Sequence, residues 1–155
     1  MTINDKALQE AIETYDTANQ NYKAILYVCL VRGAGNIMAT ASARMRLENT
    51  WGNSNNAIYA RVNDFSIVAV HHDALYLYVL DKFKRKLIII DKLVLPYEAI
   101  LKLKISKFLV WTTLKIRFTK KRRVKVRISN KVAGLKNQKE NIQTLLDYLN
   151  RNSCN

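Results

Sequence analysis

The chain has 155 residues, 49% of them hydrophobic, which suits a single compact domain spanning residues 1–155. Two cysteines are too few for a disulfide framework, and the longest clear apolar run, Ala24 to Val31, is far too short to span a bilayer as a helix. The formal net charge of +14 excludes neither nucleic acid, nor anionic lipid, nor an acidic protein as partner.

That charge is unevenly placed. Residues 1–80 carry 6 Lys or Arg against 7 Asp or Glu, and residues 81–155 carry 20 against 5. The basic character belongs to the second half. The opening residues Met1 to Lys6 lack the basic-then-apolar form of a signal peptide, so a cytoplasmic location is expected, with peripheral membrane association open to it.

In chain order, Thr2 or Asn4 is placed to cap a first helix reaching about Ala18, within residues 1–20. Leu8, Ile12 and Tyr15 form its apolar stripe, and Glu10, Glu13 and Asp16 its polar face. Lys23 to Val31 reads as a buried strand, with Cys29 as a small core residue; Cys154 lies in a polar tail and reads as a free thiol. Gly33 and Gly35 form a turn, because no third glycine and no lysine-serine or lysine-threonine pair follows to make a phosphate loop. Ile37 to Leu47 leans to strand, Trp51 to Asn56 is a polar loop, and Ala57 to Val62 is a short strand.

Phe65 to Val70 and Ala74 to Leu80 are strands joined by a turn at His71, His72 and Asp73. Adjacent strand residues point opposite ways, and no second cluster stands at ligand spacing. A turn with solvated imidazoles is therefore expected, with no metal and no cofactor. Asp81 to Lys86 is a basic turn, Leu87 to Ile90 an apolar strand, and Leu93 to Leu95 further apolar material. Pro96, the only proline, marks an edge, a strand start or a bend.

Ile100 to Ile128 alternates apolar and basic residues over three strands. Leu101, Leu103 and Ile105, then Leu114, Ile116 and Phe118, then Val124, Val126 and Ile128 are predicted to face a core. The opposite parity holds Lys102, Lys104, Lys115, Arg117, Arg123, Lys125 and Arg127, and no carboxylate interrupts the run from Lys102 to Lys139. A hairpin turning at Lys120 to Arg122 and pairing Phe118 with Val124 would place Arg117 opposite Lys125 and Lys115 opposite Arg127. Like charges directly opposite destabilise a sheet, and a face built only for solubility usually mixes signs. The unmixed face points to an anionic partner; the competing reading is an edge that lysines protect from aggregation.

The turn between the first two of these strands, Lys107 to Trp111, carries four apolar residues, Phe108, Leu109, Val110 and Trp111. Burial against the first helix or a second subunit is the expectation; dipping into a membrane interface is the other reading. After a polar stretch broken by Gly134, Gln138 to Leu149 reads as an amphipathic helix on Ile142, Leu145, Leu146 and Leu149.

From residue 65 onward the order of parts resembles a bacterial pleckstrin-homology-like domain. Tyr76 to Leu80 and Leu87 to Asp91 are similar to that family's early hairpin, and Leu95 to Ile100 resembles its recurrent Ile-Pro-Tyr-Glu-x-Ile segment. The resemblance implies a mainly β fold with flanking helices. Two bent antiparallel sheets (residues 21–130) would form an open barrel capped by a C-terminal helix (136–150). It also implies a binding or assembly module without catalytic activity. It does not imply phosphoinositide binding: the eukaryotic domains grip that lipid with cations in an early loop, and Gly33 to Ala43 has no Lys or Arg.

Function is thus expected to be non-catalytic binding of an acidic protein or an anionic membrane surface, with homo-oligomer formation open. Non-specific nucleic-acid binding is the alternative, weakened because only Trp111 offers an aromatic on the outward parity. No nucleophile, acid–base or metal constellation supports an enzyme.

Overall fold

The computed structural model describes residues 3–18, 21–31, 64–81, 85–118 and 123–152. The expectations for Thr2, Gly33 to Gly35, Ile37 to Leu47, Trp51 to Val62, Lys82, Lys84, the turn at Lys120 to Arg122, and Cys154 lie outside these residues.

Helix α1 spans Asp5–Tyr15, with Asn4 as N-cap accepting from the Ala7 amide at 2.8 Å. It ends before Ala18, because Asp16 leaves the helix and turns its carboxylate to Tyr78 and Lys92. The strands are β1 (Ala24–Leu30), β2 (Asp64–Val70), β3 (Ala74–Leu80), β4 (Ile89–Pro96), β5 (Lys102–Lys107), β6 (Trp111–Arg117) and β7 (Arg123–Ser129). A 3-10 turn, Tyr97–Ala99, precedes β5, and helix α2 spans Gln138–Asn152. The strand expected at Leu87 to Ile90 starts instead at Ile89 and runs on through the apolar material at Leu93 to Leu95, and Pro96 closes it on an outer edge of the described sheet.

Among the described residues the fold is mainly β: seven antiparallel strands in the order β4-β3-β2-β1-β7-β6-β5, with a helix near each end of the chain. It divides into two leaves. β1 pairs with β2 over its whole length, from Ala24 opposite Val70 to Leu30 opposite Asp64. It meets β7 only at Cys29 opposite Arg127 and Leu30 opposite Val126. Elsewhere the leaves splay apart, and α2 closes the gap.

Four hydrogen bonds between α2 and the strands follow from that splay. The backbone of β1 that β7 leaves unpaired still needs partners. Gln138, 2% exposed, donates to the Tyr27 and Ser129 carbonyls at 2.9 and 3.3 Å and accepts from the Tyr27 amide at 3.3 Å. Asn141 donates to the Ile25 carbonyl at 2.9 Å. Helix and splayed leaves therefore specify each other.

The core between the leaves takes Leu26, Val28 and Leu30 from β1, Leu114 and Ile116 from β6, Val124, Val126 and Ile128 from β7, and Leu145, Leu146 and Leu149 from α2. Burying each such side chain contributes roughly 1.5–3 kcal/mol before entropy is counted. Leu103, Ile105 and Phe118 are half-buried against this core, but Leu101 is 60% exposed and lies outside β5, against expectation. Cys29 is also not a core residue; it sits half-buried on the outward parity of β1.

A second cluster covers the outer face of β1–β4, where Leu8 and Ile12 of α1 pack on Ile67, Ala69, Tyr78 and Leu80. Gly134, at φ +89°, lets the loop before α2 lie against the Ile3 carbonyl, where a Cβ has no room.

Candidate anion-binding surface

Leu30 and Val126 both face the core, so Cys29 and Arg127, paired beside them, both face outward. The outer side is therefore continuous from one leaf to the other. On β1–β4 it is covered by α1. On β5–β7 no described helix covers it.

Pairing fixes what that open face displays. Lys102, Arg117 and Arg123 stand in one row across β5, β6 and β7, and Lys104, Lys115 and Lys125 in the next. Ser106, Thr113 and Arg127 make a third. The expected register is corrected: Ile116, not Phe118, pairs with Val124. Arg117 thus faces Arg123, Lys115 faces Lys125, and Arg127 faces Thr113. The shift is an even number of residues, so every side chain keeps its predicted face. Six of the seven cations are exposed and Lys125 is half-buried. Among the described residues none of Lys102, Lys104, Lys115, Arg117 or Lys125 forms an ion pair.

The hairpin between β5 and β6 ends in Phe108 to Trp111, with the Phe108 amide donating to the Trp111 carbonyl at 2.8 Å. The expected burial against the first helix does not occur: α1 lies on the other leaf. Leu109 is 99% exposed, Phe108 59% and Val110 56%. Trp111 points outward, 37% exposed, and the Arg127 guanidinium lies over its ring at 5.1 Å from the centroid. Asn130, just beyond β7, holds this tip. Its amide group donates to the Phe108 and Leu109 carbonyls at 3.3 and 3.2 Å, and its backbone N–H donates to the Val110 carbonyl at 2.9 Å.

His71, His72 and Asp73 form the expected turn between β2 and β3, remote from the basic leaf in strand order. The His71 ring is not solvated as expected. Its side chain is only 13% exposed, packed beside Tyr22 and Tyr76. His71 Nδ1 meets Asp73 Oδ1 at 2.5 Å, which holds the Asp73 carboxyl below its usual range. One ligand-type atom from each of the three residues lies within 4.8 Å of the others, because a turn does not separate neighbours as a strand does. These are donor types that a transition metal takes, but Asp73 already engages Nδ1 of His71.

Tyr78 donates to Asp16 at 3.2 Å, so its contact with Tyr22 at 2.9 Å has Tyr22 as donor, and Lys92 donates to Asp16 at 2.7 Å. Burial, above all, raises the Tyr78 and Tyr22 hydroxyls above the usual phenol range. This chain ties α1 to the first leaf. An open cleft of about 520 Å³ runs beside α1, between Glu10, Tyr15 and the segment Arg85 to Ile89, away from the basic leaf. No described helix is long and apolar enough to cross a membrane.

No protein-family model and no curated protein matches the chain. Among solved structures it is similar to the hSac2 domain from human phosphoinositide phosphatase Sac2, at 9% identity and a TM-score of 0.47. That match covers 93% of this chain and 77% of that chain, and at this level it assigns neither ligand nor activity.

Proposed function

We propose that this chain is a non-catalytic binding module whose β5–β7 leaf engages an anionic partner surface through Lys102, Lys104, Lys115, Arg117, Arg123, Lys125 and Arg127. The observation that carries the reading is the position of Lys115 and Arg117 on β6, an interior strand. Edge protection accounts for lysines on β5, the edge strand among the described residues. It does not account for cations on β6, where each faces a cation on both neighbouring strands. Such rows cost stability in the free protein. An apposed anionic surface offsets that cost and speeds encounter with its partner.

The test compares wild type with Lys115→Glu/Lys125→Glu and, as control on the α1 face, Lys6→Glu. Binding is measured to phosphatidylserine vesicles, polyglutamate and duplex DNA, each at low and high salt. The reading expects salt-sensitive binding to an anionic surface that the double variant loses and the control keeps. Failure of wild type to bind any of them at low salt overturns it. Preference for DNA over the other two moves the assignment to nucleic acid.

A further inference from the structure

The geometry points to an anionic lipid bilayer as the surface this leaf meets, with the Phe108–Trp111 tip inserted into the interface; the inference rests on the binding role proposed for the basic leaf. Three observations converge on it.

The tip is convex and apolar. Leu109, at 99% exposure, stands at the end of a hairpin whose neighbours Phe108 and Val110 are also more than half exposed. A protein partner must supply a pocket of matching shape for such a knob, whereas a fluid interface accepts it without one. The tip is also fixed before any partner arrives. Asn130 makes three hydrogen bonds to its carbonyls, so ordering the loop is not left as a cost of binding.

The charge beside the tip is graded. Lys107, Arg127 and Lys131 flank it, and the Arg127 guanidinium lies on the Trp111 ring. Trp with an adjacent cation suits the headgroup level, where the indole is half-immersed and the cation meets phosphate. A strand rises about 3.3 Å per residue, so Lys115 lies roughly 17 Å from Val110 and Arg117 roughly 23 Å. Screening acts over about 8 Å at physiological salt. With the tip inserted and the leaf inclined onto the headgroups, the row Lys104–Lys115–Lys125 lies nearer them and therefore contributes more than the row Lys102–Arg117–Arg123. An acidic protein lying flat on the leaf would weight the two rows alike.

A second copy of the chain fits this patch poorly. Apposing two such leaves sets one array of cations against another. Four partly exposed side chains also fall well short of the about 800 Å² per partner that a stable complex buries.

The experiment uses the full chain with Trp51→Phe, which leaves Trp111 as the sole tryptophan. It is titrated with vesicles containing phosphatidylserine, with neutral vesicles, with vesicles carrying brominated acyl chains, and with polyglutamate as a non-lipid anion. Insertion predicts a blue shift of Trp111 emission on anionic vesicles and quenching by the bromine. Leu109→Asp in the same background should reduce vesicle binding on the order of tenfold or more, as expected for withdrawing one buried apolar side chain, while leaving polyglutamate binding unchanged. Lys104→Gln should weaken vesicle binding more than Lys102→Gln. Circular dichroism of each variant confirms folding. Vesicle binding with no blue shift, no quenching and no effect of Leu109→Asp overturns insertion and leaves the basic-leaf reading standing. Binding to polyglutamate but not to vesicles does the same. Binding to neither overturns insertion, and failure to bind duplex DNA as well overturns the basic-leaf reading too.

Discussion

Asn130 donates from its side chain to the carbonyl of Leu109 at 3.2 Å, so a residue outside the hairpin fixes the backbone that carries the most exposed apolar side chain among the described hydrophobics. The same amide group reaches Phe108, and Thr112 donates to the Asn130 side-chain oxygen at 3.4 Å. The tip is part of the β6–β7 framework rather than a loose turn. Asn130→Ala is expected to cost about 1 kcal/mol in urea unfolding and to speed amide exchange at Leu109 to Trp111. Unchanged exchange at these positions would show that the turn holds itself.

Lys115 has a lysine directly opposite on each side, Lys104 on β5 and Lys125 on β7. Each facing like-charge pair costs roughly 0.2–1 kcal/mol, screened by salt. Lys115→Gln is therefore expected to raise stability by about 1 kcal/mol or less at low salt, with the gain shrinking at high salt, while anion binding weakens. Wild type itself should gain stability as salt rises. A variant less stable than wild type at low salt would mean that the row is not under repulsive load.

Gln138 is the polar clasp between the leaves. Gln138→Leu keeps much of the volume and strands the Tyr27 amide and carbonyl in a buried place. Leaving a buried polar group unpaired costs about 1–3 kcal/mol. Chemical denaturation should report a loss of that size, with amide exchange rising first at Tyr27.

Alkaline pH tests the Tyr22–Tyr78–Asp16 chain. Burial, above all, raises Tyr78 above its unfolded value, and burial shifts Tyr22 and Tyr97 the same way. Unfolded tyrosine ionises near pH 10, so the stability from keeping these hydroxyls neutral is fully present below about pH 10 and is lost as pH rises beyond it. Tyr78→Phe should be about 1 kcal/mol less stable at neutral pH. It should also show a shallower alkaline decline than wild type. An equal decline would place the sensitivity at Tyr22 and Tyr97 instead.

Much of the second leaf was legible because strands with one face on a core must alternate. Leu114, Ile116, Val124, Val126 and Ile128 are buried as the alternation predicts. The β6–β7 register was not legible, because two pairings an even step apart satisfy the same alternation equally. Asp91 and Lys92 hid the unity of β4; Lys92 is a polar strand residue satisfied by Asp16, a contact 76 residues away in sequence. Gln138 was missed as a core residue for a related reason: its burial depends on where β7 leaves β1 unpaired, and no periodicity encodes that. The cations were legible as a face, but their rows needed the register. The tip was legible as unusual; its exposure followed only once α1 was seen on the opposite leaf.

The central claim is that the β5–β7 leaf and its tip form the contact surface, and residue-resolved NMR of the full chain with phosphatidylserine-containing bicelles tests it most directly. The account predicts amide shift changes and broadening concentrated in residues 102–117 and 123–131, strongest at Phe108 to Trp111, and absent from α1 and the outer face of β1–β4. Perturbations centred on α1 and the cleft beside Arg85 to Ile89, or none at all at low salt, would contradict it.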